Sequence, residues 1–140
     1  MIAPILAVKD VDASLAFYTE KLGFEKLFVM EGPDGKNIFA FVSMGYLAQI
    51  GLDAQPTPAP VGSGVVIMIY PPEEINLDKL YADVQSRGVA IEQPLRDEYW
   101  GDRTFSVKDP DGYYLTFSVT EANVPAEEIA DIMKKGMTQP

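Results

Sequence analysis

Lys36-Asn37-Ile38-Phe39-Ala40-Phe41 is echoed, 66 residues further on, by Asp102-Arg103-Thr104-Phe105-Ser106-Val107. Gly45 and Gly112 then correspond at an offset of 67. A repeat of this length makes the chain two copies of one supersecondary unit, and that decides the architecture before any single motif does. Working outward from the first copy, Ile2 to Val8 is apolar and β-prone and ends at Asp10, Asp12 and Ser14, each a candidate helix N-cap. Val11, Leu15, Tyr18 and Leu22 recur at helical spacing, and Gly23 stands where a left-handed C-cap belongs. Phe24 to Met30, Asn37 to Ser43 and Tyr46 to Leu52 read as strands, the first two joined by the turn Gly32-Pro33-Asp34-Gly35.

The pattern restarts at Gly64 to Tyr70, a buried-looking strand. A helical stripe of Leu77, Leu80, Tyr81 and Val84 follows, capped by Asn76 and ended near Gly88. Val89 to Pro94, Arg103 to Lys108 and Tyr113 to Thr120 supply three more strands. The order is strand, helix and three strands, twice over. The expected fold is therefore α+β: two βαβββ modules forming curved mixed sheets around a cleft, plus a C-terminal helix. Residues 1–122 form the domain, with modules 1–52 and 64–120 joined by a linker at 53–63 that carries Pro56, Pro58 and Pro60. Residues 123–140 form a helical tail, opened by Asn123 and Pro125, with Ile129, Ile132 and Met133 on one face and Lys134, Lys135 and Gly136 at its end.

The 140 residues include 47% hydrophobic and 23% charged side chains, a globular composition. No run reaches the roughly 20 apolar residues of a membrane span, and the start lacks a secretory pattern, so the protein is read as cytoplasmic. A net charge of -10 repels phosphate backbones and anionic lipid heads, which argues against nucleic acid and membranes as partners. The chain has neither cysteine nor histidine. Disulfides, thiolate chemistry and imidazole catalysis are thereby excluded, and the commonest transition-metal ligands are missing. No metal and no other cofactor is expected.

Arg96-Asp97-Glu98-Tyr99-Trp100-Gly101-Asp102-Arg103 gathers charge around the only tryptophan. Trp100 and Tyr99 either stack on a planar cationic ligand or shape the hairpin that enters the seventh strand. Asp97, Glu98 and Asp102 read as solvated turn charges, or as paired carboxylates for acid–base work. Arg103 pairs with one of these acids or meets a ligand carboxylate. Asp109 and Asp111 belong to the turn itself. Phe39, Phe41, Phe105 and Phe117, with Met44, Met68 and Tyr114, supply the apolar surface of the sheets, and alternation sends only half of it to the face that lines a cavity; Phe39, Phe41, Phe105 and Tyr114 are the candidates for its aromatic lining. Phe17 and Tyr18 read as helix packing residues.

Val8-Lys9-Asp10, Ser14-Leu15-Ala16-Phe17-Tyr18, Leu22-Gly23-Phe24 and Asp109-Pro110-Asp111-Gly112-Tyr113-Tyr114-Leu115 together resemble the signature of the vicinal oxygen chelate superfamily. That group includes glyoxalase I, extradiol dioxygenases, fosfomycin-resistance enzymes and bleomycin-resistance proteins. The resemblance covers residues 1 to about 120. It implies paired modules around a ligand cavity and a homodimer. In its metal-dependent members the ligands come from the first and last strands of each module, and the matching positions here are Ala3, Gln49, Val66 and Thr116. One amide, one hydroxyl and two apolar residues make no metal site. The resemblance thus points to a metal-free, bleomycin-resistance-like protein that sequesters a hydrophobic or cationic, antibiotic-like small molecule, with Trp100, Tyr99, Gln49, Phe39, Phe41, Arg103, Phe105 and Tyr114 as binding residues. The alternative is a lyase or dioxygenase-like enzyme of the same superfamily, using carboxylates or an atypical metal site. A third reading is a degenerate module whose dimer serves only assembly.

Overall fold

A computed structural model describes residues 3–55, 61–63 and 65–135. Ile2, Pro56, Pro58, Pro60, Gly64, Gly136 and the side chain of Met133 lie outside the described residues. Strand β1 (Ile5–Ala7) leads to Asp10, whose extended backbone and carboxylate, accepting the Ala13 N–H at 3.1 Å, start helix α1 (Val11–Ala16). Of the three candidate caps, Asp10 is the one used. The helix widens over Phe17–Lys21 into a π turn, with the Leu22 N–H reaching Phe17 O at 3.2 Å, and Gly23 ends it at φ +88°. Strands β2 (Glu25–Glu31), β3 (Asn37–Met44) and β4 (Ala48–Asp53) complete the first module.

The second module runs β5 (Val66–Ile69), α2 (Leu77–Ser86), β6 (Ile91–Asp97), β7 (Asp102–Lys108) and β8 (Tyr114–Thr120). Asn76 caps α2, its side chain accepting from Lys79 N at 2.9 Å. Helix α3 (Ala126–Lys134) follows Pro125. The two sheets have the same order, β1-β4-β3-β2 and β5-β8-β7-β6, and in each the first strand runs parallel to the last while the other pairs are antiparallel. This is the expected α+β architecture.

Each sheet turns one face toward its helix. Ala40, Val42, Ile50 and Leu52 meet Val11, Tyr18 and Leu22 in the first module; Phe105, Val107, Leu115 and Phe117 meet Leu77, Leu80 and Val84 in the second. These residues form one continuous core. Each fully buried side chain of this size contributes roughly 1.5–3 kcal/mol by leaving water.

The modules are locked together through the Asp109-Pro110-Asp111-Gly112 turn between β7 and β8. Asp109 Oδ1 accepts from the Asp111 and Tyr113 N–H groups, each at 2.9 Å, as a turn aspartate should. Its other oxygen accepts the buried Tyr18 hydroxyl at 2.9 Å. Asp111 takes the Lys9 N–H at 3.1 Å and the Ser14 hydroxyl at 3.3 Å, and the Tyr113 hydroxyl returns to Ala7 O at 2.8 Å. Burial is the main force raising the Asp109 carboxyl, and burial, reinforced by Asp109, pushes the Tyr18 phenol far above its ordinary range.

Several expectations need correction. Strand β4 starts at Ala48, because Tyr46 and Leu47 form the turn after Gly45 and stand 83% and 71% exposed. Strand β5 is buried on one face only: Ile69 joins the core, whereas Val66 and Met68 point outward at 64% and 46% exposure. Strand β6 continues through Pro94 to Asp97, which an edge strand with an irregular register tolerates. The local match at an offset of 66 pairs residues of opposite faces, since Phe39 and Phe41 lie away from the helix while Phe105 and Val107 lie beneath it. The offset of 67 set by the glycines pairs like with like, carrying Ala40 onto Val107 and Gln49 onto Thr116.

Candidate functional site

Alternation leaves each sheet a second face that no helix covers. In the first module this open face is aromatic. Phe28 and Phe39 stack with centroids 5.9 Å apart, and Phe41 completes the group at 5.7 Å from Phe28 and 5.5 Å from Phe39. Met30 pairs with Phe39, Ile5 with Gly51, and Gln49 with Ser43 on the same face. Phe28 is 50% and Ile5 58% exposed, so a substantial apolar surface meets solvent here. Sequence reasoning missed Phe28 because a bulge beside Leu27 resets the alternation in β2.

The open face of the second module is polar. Offset by 67 residues, Ser106 stands where the first module has Phe39. Ser106 and Thr116 share a hydrogen bond at 2.9 Å, and Gln93 Nε2 donates to Thr104 Oγ1 at 3.0 Å. Glu98 Oε1 accepts from the Thr104 hydroxyl at 2.8 Å and from Arg96 Nε at 2.7 Å. The Tyr70 hydroxyl donates to Asp102 Oδ2 at 2.7 Å, and the phenol is pushed up by burial and by that carboxylate. Among the described residues two buried side-chain atoms, Glu98 Oε2 and Ser118 Oγ, make no hydrogen bond of ordinary geometry. A buried polar atom left so costs about 1–3 kcal/mol, more if charged.

A cavity of about 300 Å³ lies where β4 and β5 come close, lined by Pro4, Leu47, Gln49, Ile50, Ile67 and Met68 among others, residues from both faces of these strands. A second space of about 400 Å³ adjoins it through Leu47, Ala48 and Tyr70. A third, of about 320 Å³, lies at the β6–β7 turn and is walled by Asp97, Glu98, Tyr99, Asp102 and Glu121.

The structure divides the expected binding residues. Phe39, Phe41 and Gln49 lie together on the open face of the first module, and Tyr114, paired with Lys108 and Val66, lies on that of the second. Gln49 Nε2 is engaged with Tyr46 O at 3.0 Å. Phe105 does not line a cavity: it is fully buried under α2, stacked on Phe117 at 5.0 Å and set edge-on against Tyr81 at 5.1 Å. Arg103 shares the helix side with Phe105 and holds Asp78 of α2 through Nε at 2.9 Å and Nη2 at 3.2 Å, and Asp97 at 3.0 Å. Hydrogen bonding to Arg103 holds the Asp78 carboxyl below its ordinary range. Tyr99 and Trp100 occupy the turn, their rings edge-to-face at 5.1 Å. Gly101 permits that turn at φ +103°, where a side chain would strike the backbone of Ala122.

The strand register also relocates one of the positions at which metal-dependent relatives carry ligands. Met68, not Val66, stands opposite Thr116; Val66 faces Tyr114. Ala3, Gln49, Met68 and Thr116 offer one amide, one hydroxyl and one thioether, with no carboxylate or imidazole. This donor set does not fit a divalent metal centre. Among the described residues no three carboxylates converge on one point, and no helix is long and apolar enough to cross a membrane.

The model of the glyoxalase/bleomycin resistance protein/dioxygenase superfamily matches residues 2–117. A bleomycin resistance protein of Geobacillus stearothermophilus is 27% identical over 124 residues, spanning 81% of this chain and 92% of its own. TnmS3, an antibiotic binding protein from Streptomyces sp. CB03234, superposes with a TM-score of 0.67 at 25% identity, over 85% of this chain and 93% of its own. A glyoxalase/bleomycin resistance protein from the same Streptomyces gives 0.69 at 25% identity, over 84% and 97%.

Proposed function

The chain belongs to the glyoxalase/bleomycin resistance protein/dioxygenase superfamily, and from that premise we propose that it is a cytoplasmic, homodimeric protein that binds a small antibiotic-like molecule without a metal and without transforming it. The observation that carries this reading is the contrast between the two open faces. Phe28, Phe39 and Phe41 offer stacking surface, and the face around Tyr70, Thr116 and Ser106 offers hydrogen bonds, while the four positions that would hold a metal in catalytic relatives offer almost no donors. An aromatic, partly hydrophobic ligand with polar substituents suits that pairing. The names of the bleomycin resistance and antibiotic-binding relatives support the same ligand class. Homodimerisation accords with the exposed apolar face of the first module, which a second copy would cover.

Isothermal titration calorimetry with bleomycin, acridine and 9-aminoacridine tests the reading. At least one is expected to bind with an affinity unchanged by chelator, and Phe41→Ala is expected to weaken it by about tenfold, the loss of one good aromatic contact. No binding across the three, or binding that needs a divalent cation, would overturn it.

A further inference from the structure

Glu98 and Asp102 are 7% and 5% exposed, and both line the space at the β6–β7 turn. Buried carboxylates are normally matched by cations and by a full set of donors. These two share a single close guanidinium. Arg96 reaches Glu98 Oε1 through Nε alone, although an arginine fork can hold both oxygens of a carboxylate at once. Among the described residues the Asp102 carboxylate accepts from the neutral Tyr70 phenol alone, because Arg103, its neighbour in sequence, is turned to the helix side and spent on Asp78 and Asp97. Among the described residues, Glu98 Oε2 is left buried without a hydrogen-bond donor of ordinary geometry. The backbone holds the pair together, with the Glu98 N–H bonded to Asp102 O at 2.6 Å across the turn closed by Gly101.

We propose that Glu98 and Asp102 form a seat for an organic ammonium group, with Glu98 Oε2 accepting one of its N–H bonds. This rests on the binding-protein reading above and names the end of the ligand that meets the second module. A metal ion is a poorer match, since no three carboxylates converge among the described residues. An ammonium needs only two acceptors at hydrogen-bond range and supplies the positive charge that the pair lacks. Glu98 Oε2 is closed to water, so a ligand cation reaches it only when the side chains around it move, and Arg96, 40% exposed and bonded to Oε1, is the cation already in place. Arg96 is thus the resident cation with which the ligand competes, and it keeps Glu98 from standing uncompensated when the seat is empty.

The test uses butylammonium, 9-aminoacridine, which is cationic at neutral pH, and acridine, which is neutral there, all at constant ionic strength. NMR of the protein labelled with carbon-13 at its carboxyl groups is expected to show saturable shifts of Glu98 and Asp102 with butylammonium. Glu98→Gln, which keeps the shape, should abolish those shifts and weaken 9-aminoacridine by about tenfold or more, the loss of a charged hydrogen bond, while leaving acridine unchanged. Arg96→Met should tighten butylammonium by removing its competitor, a result that a purely structural Glu98–Arg96 pair would not produce. Shifts spread over the surface carboxylates without saturation, or equal loss of acridine and 9-aminoacridine in Glu98→Gln, would overturn the seat. Failure of acridine alone, with the butylammonium shifts intact, would instead count against the aromatic face of the first module.

Discussion

Tyr18 carries more of the architecture than its place in a helical stripe announces. Its ring is fully buried between Phe17 and Phe24, and its hydroxyl is donated across the module boundary to Asp109. Tyr18→Phe is expected to cost about 1–3 kcal/mol, because it strands one buried carboxylate oxygen. The pH dependence follows from the direction of the shift. The phenol is raised in the folded protein, so its contribution is complete below the ordinary value of 10.0 and is lost as pH rises above it, where the unfolded chain ionises first. Chemical denaturation across that range should show stability falling in the natural protein and falling less steeply in Tyr18→Phe; parallel curves would contradict the assignment. The Asp109 carboxyl, also raised, gives its largest contribution below the ordinary carboxylate value of 3.8 and loses it as pH rises through its folded value. Helical spacing placed Tyr18 in the core. The Asp109 partner, 91 residues away, is set only by how the modules dock.

At the scale of elements, β3 and β7 show what a shift of one residue does. Phe39 and Phe41 in β3 lie on the open face; Phe105 in β7, aligned with Phe39 by local likeness, lies on the opposite face. A strand has a side-chain period of two, so an even offset and an odd one give opposite environments from the same letters. Phe105→Ala is expected to lower stability by about 3–5 kcal/mol through the cavity it opens under α2. Phe41→Ala should leave the melting temperature close to that of the natural protein while weakening the aromatic ligand. Thermal unfolding of both variants separates the roles, and a large loss of stability for Phe41→Ala would move that ring into the core. The charge run from Arg96 to Arg103 was open to the same ambiguity. Only four of its residues form the turn, and the strand pairing that begins at Asp102 draws Glu98 and Asp102 out of water while leaving Asp97 at the surface.

For the whole molecule, the exposed apolar surface and the strong net charge pull in opposite directions. A charge of -10 keeps copies apart, whereas Ile5, Phe28, Val66 and Met68 all present apolar side chains to solvent. Sedimentation velocity at physiological salt is expected to give twice the chain mass, with dissociation as ionic strength is lowered and the repulsion loses its screening. A monomer at every concentration would remove the second copy from the proposed function. The sequence alone determined the repeat, the strand and helix order, the Asn76 cap of α2 and the absence of imidazole and thiol, since these depend on local spacing and composition. Which face each strand residue takes, that Met68 and not Val66 opposes Thr116, and that Glu98 is buried with a free oxygen were decided by the tertiary structure. The physical reason is that facing depends on bulges and on register with distant strands, and burial depends on what those strands bring alongside.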